Sequence, residues 1–167
     1  MTLPNSRSLF LLILIGCVTL LITAIFIEPF KSMNPCPMCM MQRFVFGGIG
    51  ILALTAVLHN PAYIGQKIYA ALLTLISIGG ASISIRQLWL QSLPEEQVPA
   101  CGPGIDYMLD VFPILEVIEM SLRGTGDCAK VQWTLFNISI PGWSLMAFAG
   151  MSLIALFILL RKRASIA

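Results

Sequence analysis

Apolar residues run in four long blocks along the chain, and polar residues collect between them. The first block, residues 8–27, reads SLFLLILIGCVTLLITAIFI. The second covers about residues 40–58, the third about 68–90, and the fourth is 143–160, WSLMAFAGMSLIALFILL. A membrane-spanning helix needs about 20 such residues, so each block is long enough to span. In lipid these blocks must be helices, because isolated strands would leave backbone groups unpaired. The pattern predicts an all-α membrane protein: a four-transmembrane-helix bundle forming one integral membrane domain over residues 1–167, with loops at about 28–39 and 91–142. Arg7 precedes the first block as it would in a signal peptide. The block is too long for the apolar core of one and lacks a small-x-small cleavage site, so it is read as retained.

Composition agrees, since 57% hydrophobic and 11% charged residues exclude an ordinary soluble fold. The net charge of +2 matters less than its distribution. Arg7, Lys67, Arg161, Lys162 and Arg163 fall on one side of the membrane. The long loop on the other side carries Glu95, Glu96, Asp106, Asp110, Glu116, Glu119 and Asp127 against Arg123 and Lys130. The positive-inside rule then puts both termini in the cytoplasm. Trp89 and Trp143 fall at the outer interface and Tyr63 and Tyr69 near the inner one, as aromatic belts would have it.

Topology sorts the five cysteines. Cys17 lies inside the first span and reads as a small apolar packing residue. Cys36, Cys39, Cys101 and Cys128 all fall outside, where disulfides are permitted, so the count favours two disulfides plus one buried thiol. Cys36 and Cys39 form C-P-M-C. A bridge over that spacing closes a very small ring and adds little stability, which favours a redox role. Pro35 and Pro37 are expected to delay the helix until about Cys39, so that its free N–H groups point at that sulfur. A helix N-terminus and a nearby cation both favour a thiolate, and Arg43 is one turn on, at i+4.

Cys101 and Cys128 lie in the long loop, the first among Pro99, Gly102, Pro103 and Gly104, where irregular chain is expected. A bridge between them is either a plain loop staple or, beside C-x-x-C on the same face, a second redox pair. Between them, PILEVIEMSL puts Ile114, Leu115, Val117, Ile118 and Leu122 on one broad face. It reads as a short interfacial helix on the membrane or as a loop helix packed on the bundle. Arg43 and Arg86 each lie about one turn inside the outer end of a span. Intramembrane cations are functional candidates, with snorkelling as the plainer explanation. A cation there would stabilise charge developing on a lipid-borne oxidant, and Gln87 could offer it a hydrogen bond. The glycine and serine positions Gly47, Gly48, Gly50, Gly79, Gly80, Ser82 and Ser84 suit close helix packing. His59 reads as an interfacial polar residue. No Walker loop, zinc-protease signature, internal repeat or nucleic-acid patch is found. Two other readings of the outer cysteines are a membrane-anchored four-cysteine metal site and purely structural disulfides.

The segments PCPMCMMQR, LQSLPEEQVPACG and GTGDCAKVQW, with the four-span topology, resemble the disulfide bond formation protein B family, DsbB, along nearly the whole chain. The resemblance implies a quinone-dependent thiol oxidase of the bacterial inner membrane, with its reactive cysteines on the periplasmic side. It implies a DsbA-like periplasmic partner and a ubiquinone or menaquinone cofactor. The DsbA–DsbB–quinone relay is established as what keeps a bacterial periplasm oxidising, and DsbA is a strong oxidant at about −120 mV. By the same resemblance, Cys101–Cys128 is the pair attacked by reduced DsbA, Cys101 entering the mixed disulfide. Cys128 then exchanges with Cys36–Cys39 at Cys36, freeing Cys39 as the thiolate facing the quinone, beside Arg43, with Gln87 and Arg86 as further quinone-side candidates. Some family members carry histidine near the position of Gln87. Glutamine can hydrogen-bond a quinone oxygen but does not titrate.

Overall fold

A computed structural model describes residues 5–31, 36–102, 105–131 and 133–161. Pro35, Pro103, Gly104, Gln132, Lys162 and Arg163 lie outside the described residues. The chain forms helices α1 (Ser6–Lys31), α2 (Pro37–His59) and α3 (Tyr63–Gln91), then a loop containing a 3-10 turn (Glu95–Gln97) and the shorter helices α4 (Ile105–Val111), α5 (Ile114–Arg123) and α6 (Gly126–Ala129). A two-stranded antiparallel hairpin, β1 (Thr134–Leu135) and β2 (Ile138–Ser139), leads into α7 (Ile140–Leu160). Among the described residues, α1, α2, α3 and α7 are the helices long and apolar enough to cross a membrane. This is the expected all-α, four-helix membrane architecture.

The long helices begin and end on polar anchors. α3 starts at Tyr63, upstream of the apolar block, because its first turn is tied at the bundle end. Lys67 Nζ sits 5.0 Å over the Tyr63 ring, and the Tyr63 hydroxyl donates to the Arg161 carbonyl at 3.3 Å. α2 ends at Asn60, in the left-handed region at φ 41°, whose N–H returns to Ala56 O at 3.1 Å. Asparagine tolerates that conformation better than most residues, so the chain can stop and reverse there.

α3 packs chiefly on α7, α1 on α2, and α2 on α3. The main core joins Phe10, Ile13, Cys17, Phe46, Ile49, Ala53, Leu73, Phe148 and Ala155. Phe46 and Phe148 stack with centroids 4.0 Å apart and planes 4° from parallel. Phe148 reaches that position because Gly80 yields space: a Cβ there would lie 2.5–2.8 Å from its ring carbons. Lipid offers no hydrophobic incentive for helices to associate, so such close steric fit is what holds them. Outward faces carry exposed Ile25, Phe26, Ile51, Leu75 and Leu153, the surface that acyl chains would cover. Buried Thr74 and Ser84 hydroxyls donate to carbonyls of their own helix, at Ala70 and Gly80, and so satisfy themselves without a partner helix.

The loop between α3 and α7 folds back over the bundle end that carries Cys36. α5 turns Val117 and Ser121 inward and leaves Ile114 and Leu115 exposed. Its C-terminus is fastened by Arg86 of α3. Arg86 Nε donates to Leu122 O at 2.8 Å and Nη2 to Arg123 O at 3.1 Å. A guanidinium suits the unpaired carbonyls and negative pole of a helix end. Gly124, at φ 83°, then turns the chain into α6 and brings Cys128 down onto α2 and α3.

Candidate active site

The N-terminus of α2 is about half a turn earlier than the sequence suggests. The helix starts at Pro37, which occupies its first turn, and Cys36 is the N-cap residue, extended at φ −71° and ψ 156°. Proline is well suited to a first helical position, where its missing N–H would have no partner; it opens the helix instead of delaying it. The expectation that free N–H groups would point at Cys39 is therefore corrected. It is the Cys39 N–H that points back, donating to the Cys36 sulfur at 3.4 Å. Cys36 thus caps the helix as serine does elsewhere, and the cap brings the two sulfurs to 2.9 Å.

A third sulfur joins them. Cys128 is fully buried, clustered with Cys36, Met38 and Leu90. Its sulfur packs in the same cluster as Cys36 and lies 3.7 Å from Thr125 Oγ1. Donation to Cys128 and Cys39, and then burial, push the Cys36 thiol well above the ordinary range. The same contact from Cys36, aided by backbone donors at Thr125 and Met38, pulls Cys128 down to about 6 against the opposing effect of burial. Cys36 thus keeps its proton more firmly than an ordinary thiol, and Cys128 gives its proton up more readily. None of the five cysteines is in a disulfide in this structure.

Cys101 stands apart in exposure but not in place. It is open to solvent, with Lys130 Nζ 3.8 Å from its sulfur. The strand of loop that bears it lies against α6. Gly126 N–H donates to Ala100 O at 3.1 Å, and a Cβ on Gly126 would meet Pro99 O at 2.5 Å and Cys101 Sγ at 3.3 Å. Glycine at 126 is what lets the Cys101 segment and the Cys128 helix touch. A small open cleft of about 20 Å³, lined by Cys36, Cys39, Gln87, Gln91, Asp127 and Lys130 among others, gives a water-sized molecule access to the sulfurs.

Two amides complete the cluster. Gln87 Nε2 donates to Cys36 Sγ at 3.3 Å and to Cys39 Sγ at 3.2 Å, and its Oε1 accepts from Gln42 Nε2 at 2.8 Å. As arranged, Gln87 serves the thiols. Arg43, half-buried on α2 one turn after Cys39, has Nη1 3.8 Å from Met40 Sδ. Arg86 is employed as the α5 cap and also covers the Trp89 ring at 5.5 Å. Of the residues singled out in sequence, Cys36, Cys39, Cys128 and Gln87 are brought into contact, Arg43 and Cys101 lie beside them, and Arg86 acts one layer away. Gln42 was missed. The signal it offered was a polar side chain inside an apolar span, three residues after Cys39, where only a partner would make it tolerable.

The family model described as disulfide bond formation protein DsbB matches residues 6–158. The disulfide bond formation protein B of Hahella chejuensis is 46% identical over 158 residues, covering 95% of this chain and 96% of that protein. That of Marinobacter nauticus is also 46% identical over 158 residues, covering 95% and 94%. That of Saccharophagus degradans is 44% identical over 160 residues, covering 96% of each.

Proposed function

The chain belongs to the DsbB family of disulfide bond formation proteins, and from that premise we propose that it reoxidises a DsbA-type dithiol oxidase of the periplasm and passes the electrons to a membrane quinone. In this reading it is a multi-pass protein of the bacterial inner membrane, with the thiol end of the bundle periplasmic and both termini cytoplasmic. The distribution of lysine and arginine supports that orientation. The exposed Ile114 and Leu115 support α5 resting on the membrane surface.

The resting protein carries the disulfides Cys101–Cys128 and Cys36–Cys39. A thiolate of the reduced partner attacks Cys101, so a mixed disulfide forms and Cys128 leaves as thiolate. Cys128 attacks Cys36; a Cys36–Cys128 bond forms and the Cys39 sulfur leaves with the electron pair. The partner's second thiolate resolves the mixed disulfide, releasing oxidised partner and the Cys101 thiolate. Cys101 then attacks Cys128, restoring the outer bridge and returning Cys36 as a thiol. Two electrons and two protons have moved from the partner to Cys36 and Cys39. When bound, a quinone supplies the two-electron, two-proton sink that thiol exchange by itself lacks. The residues present fit such a carrier: Arg43 offers a cation inside the apolar span, and the adjacent Phe44 is 66% exposed on the helix surface. Arg43 would hold a carbonyl oxygen of the carrier near Cys39.

The observation that carries this reading is the sulfur cluster, with Cys128 packed in one buried group with Cys36, and Cys36 2.9 Å from Cys39. Attack along that line requires no large movement of α6. The test is to add reduced DsbA-type oxidase and a quinone to the purified protein and follow quinone absorbance. Turnover is expected, and is expected to stop when Cys36, Cys39, Cys101 or Cys128 is changed singly to serine. Sustained turnover in Cys39→Ser would overturn the electron route.

A further inference from the structure

A primary amide has two opposite ends, and which end faces the sulfurs decides which redox state it favours. An N–H group facing sulfur stabilises a thiolate. A carbonyl oxygen facing sulfur stabilises only a protonated thiol and repels the lone pairs of a disulfide. The terminal torsion of glutamine is broad, so Gln87 has no intrinsic preference between the two. Its neighbour settles the matter. Gln42 and Gln87 are 3% and 2% exposed, so bulk solvent reaches little of either amide. Gln42 Nε2 donates to Gln87 Oε1 at 2.8 Å, which occupies the oxygen and leaves the Gln87 NH₂ group facing both sulfurs at 3.3 and 3.2 Å.

We infer that Gln42 is a positioning residue: by holding the oxygen of Gln87 it keeps the Gln87 donors on Cys36 and Cys39 and thereby stabilises the reduced pair relative to its disulfide. This rests on the thiol-oxidase reading and deepens it, because a couple whose reduced form is stabilised is the stronger oxidant. A pair that must accept electrons from a strongly oxidising partner has use for that bias. Neither amide titrates, so any pH dependence of the bias comes from the thiols themselves. Gln42 touches neither sulfur among its described contacts, and its influence passes through Gln87.

The measurement is the thiol–disulfide equilibrium of Cys36–Cys39 in the full chain carrying Cys101→Ser and Cys128→Ser. It is read by alkylation after equilibration with a series of dithiothreitol redox buffers. Gln42→Leu removes the donor. Gln42→Met removes the donor while keeping nearly the length and volume of the side chain. Each should move the equilibrium toward the disulfide by about tenfold, or about 30 mV for a two-electron couple, the scale of one hydrogen bond to a charged group. Gln87→Leu should do the same. The double variant Gln42→Leu with Gln87→Leu should move no further than Gln87→Leu, because coupled residues are not additive. A merely structural role for Gln42 predicts additive shifts, and additive shifts overturn the inference, as does an unchanged equilibrium in both Gln42 variants. If the leucine variant does not fold, the methionine variant decides. Failure of the wider reading looks different: the unmodified protein would then reduce no quinone, whatever the equilibrium of the pair.

Discussion

Two adjoining regions of one helix pair, α2 and α3, are built on opposite rules. Around Phe46, Ile49, Leu73 and Phe148 the contacts are apolar, and shape is the only information in them. About one turn away, around Cys36, Cys39, Gln42 and Gln87, the contacts are donors and acceptors, and direction is the information. In the first region an extra methyl group is the damaging change. In the second, volume is forgiving, and reversing one amide or removing one proton is damaging. The chain thus separates what holds the bundle together from what lets it react.

The largest effect expected from that contrast is steric. Gly79 and Gly80 are neighbours, yet a Cβ at Gly79 meets nothing within 4 Å whereas one at Gly80 strikes the Phe148 ring. That ring is stacked on Phe46 and cannot tilt away. Gly80→Leu should lower stability by about 3 kcal/mol, the upper part of the ordinary overpacking range, measured as denaturation in detergent. Gly79→Leu should stay within about 0.5 kcal/mol of the parent. Equal effects at both positions would mean that the helices do not approach as described.

The next effect belongs to the polar end. In the reduced protein Cys128 is pulled down to about 6, mainly by the Cys36 thiol. The sign follows directly. A depressed thiol is ionised over a wider range, so Cys128 should react with a small disulfide reagent almost as fast near pH 7 as near pH 8, and slow only as pH falls through about 6. Linkage gives the same direction for stability: the contribution is present above the ordinary thiol value, 9.0, and is lost as pH falls through about 6. Cys36→Ala removes the leading donor. The variant's rate near pH 7 should drop by more than about tenfold, one unit of pKa per factor of ten. An unchanged profile would mean that Cys36 does not depress the Cys128 thiol.

How much of this was legible in sequence depends on range. The four helices were, because lipid leaves an apolar block no other choice, and so was the gathering of four cysteines on one side. The start of α2 was misjudged because proline was read as a helix breaker when, as the first helical residue, it is a starter. The difference between Gly79 and Gly80 could not be read, since it depends on a ring from α7. The same holds for Gln42, whose meaning is a hydrogen bond to Gln87 on another helix. Arg86 was noticed for its charge, but its partners, the Leu122 and Arg123 carbonyls, are backbone groups that no side-chain pattern announces.

Arg86 links the two regimes, since it stands on a spanning helix and fastens the loop that carries Cys128. Arg86→Met keeps much of the aliphatic stem and removes both carbonyl bonds. Because the group is exposed, the cost should be modest, about 1 kcal/mol, or about fivefold in the equilibrium constant for docking α5 and α6. Partner-driven quinone reduction should fall by up to that factor. The equilibrium of Cys36–Cys39 with dithiothreitol should not change, since that pair sits on α2. Loss of both together would instead indicate that Arg86 acts on the sulfurs directly.

The smallest effect is expected from the fifth cysteine, and it sharpens the comparison most because the chemical group is held constant. Cys17 is fully buried in the apolar core, and its sulfur has Met151 Sδ 3.7 Å away. Nothing around it gives a sulfur anion a donor, and no second cysteine adjoins it among the described contacts. It therefore fills space, as a small apolar residue would. Cys17→Ala should cost about 1 kcal/mol or less in stability, the scale of one buried methylene, and leave quinone turnover unchanged. The same substitution at Cys39 should abolish turnover and leave stability nearly intact. If Cys17→Ala slows turnover in protein that is demonstrably folded, the division between a packing region and a reacting region is wrong, and electrons or motion pass through the middle of the bundle as well.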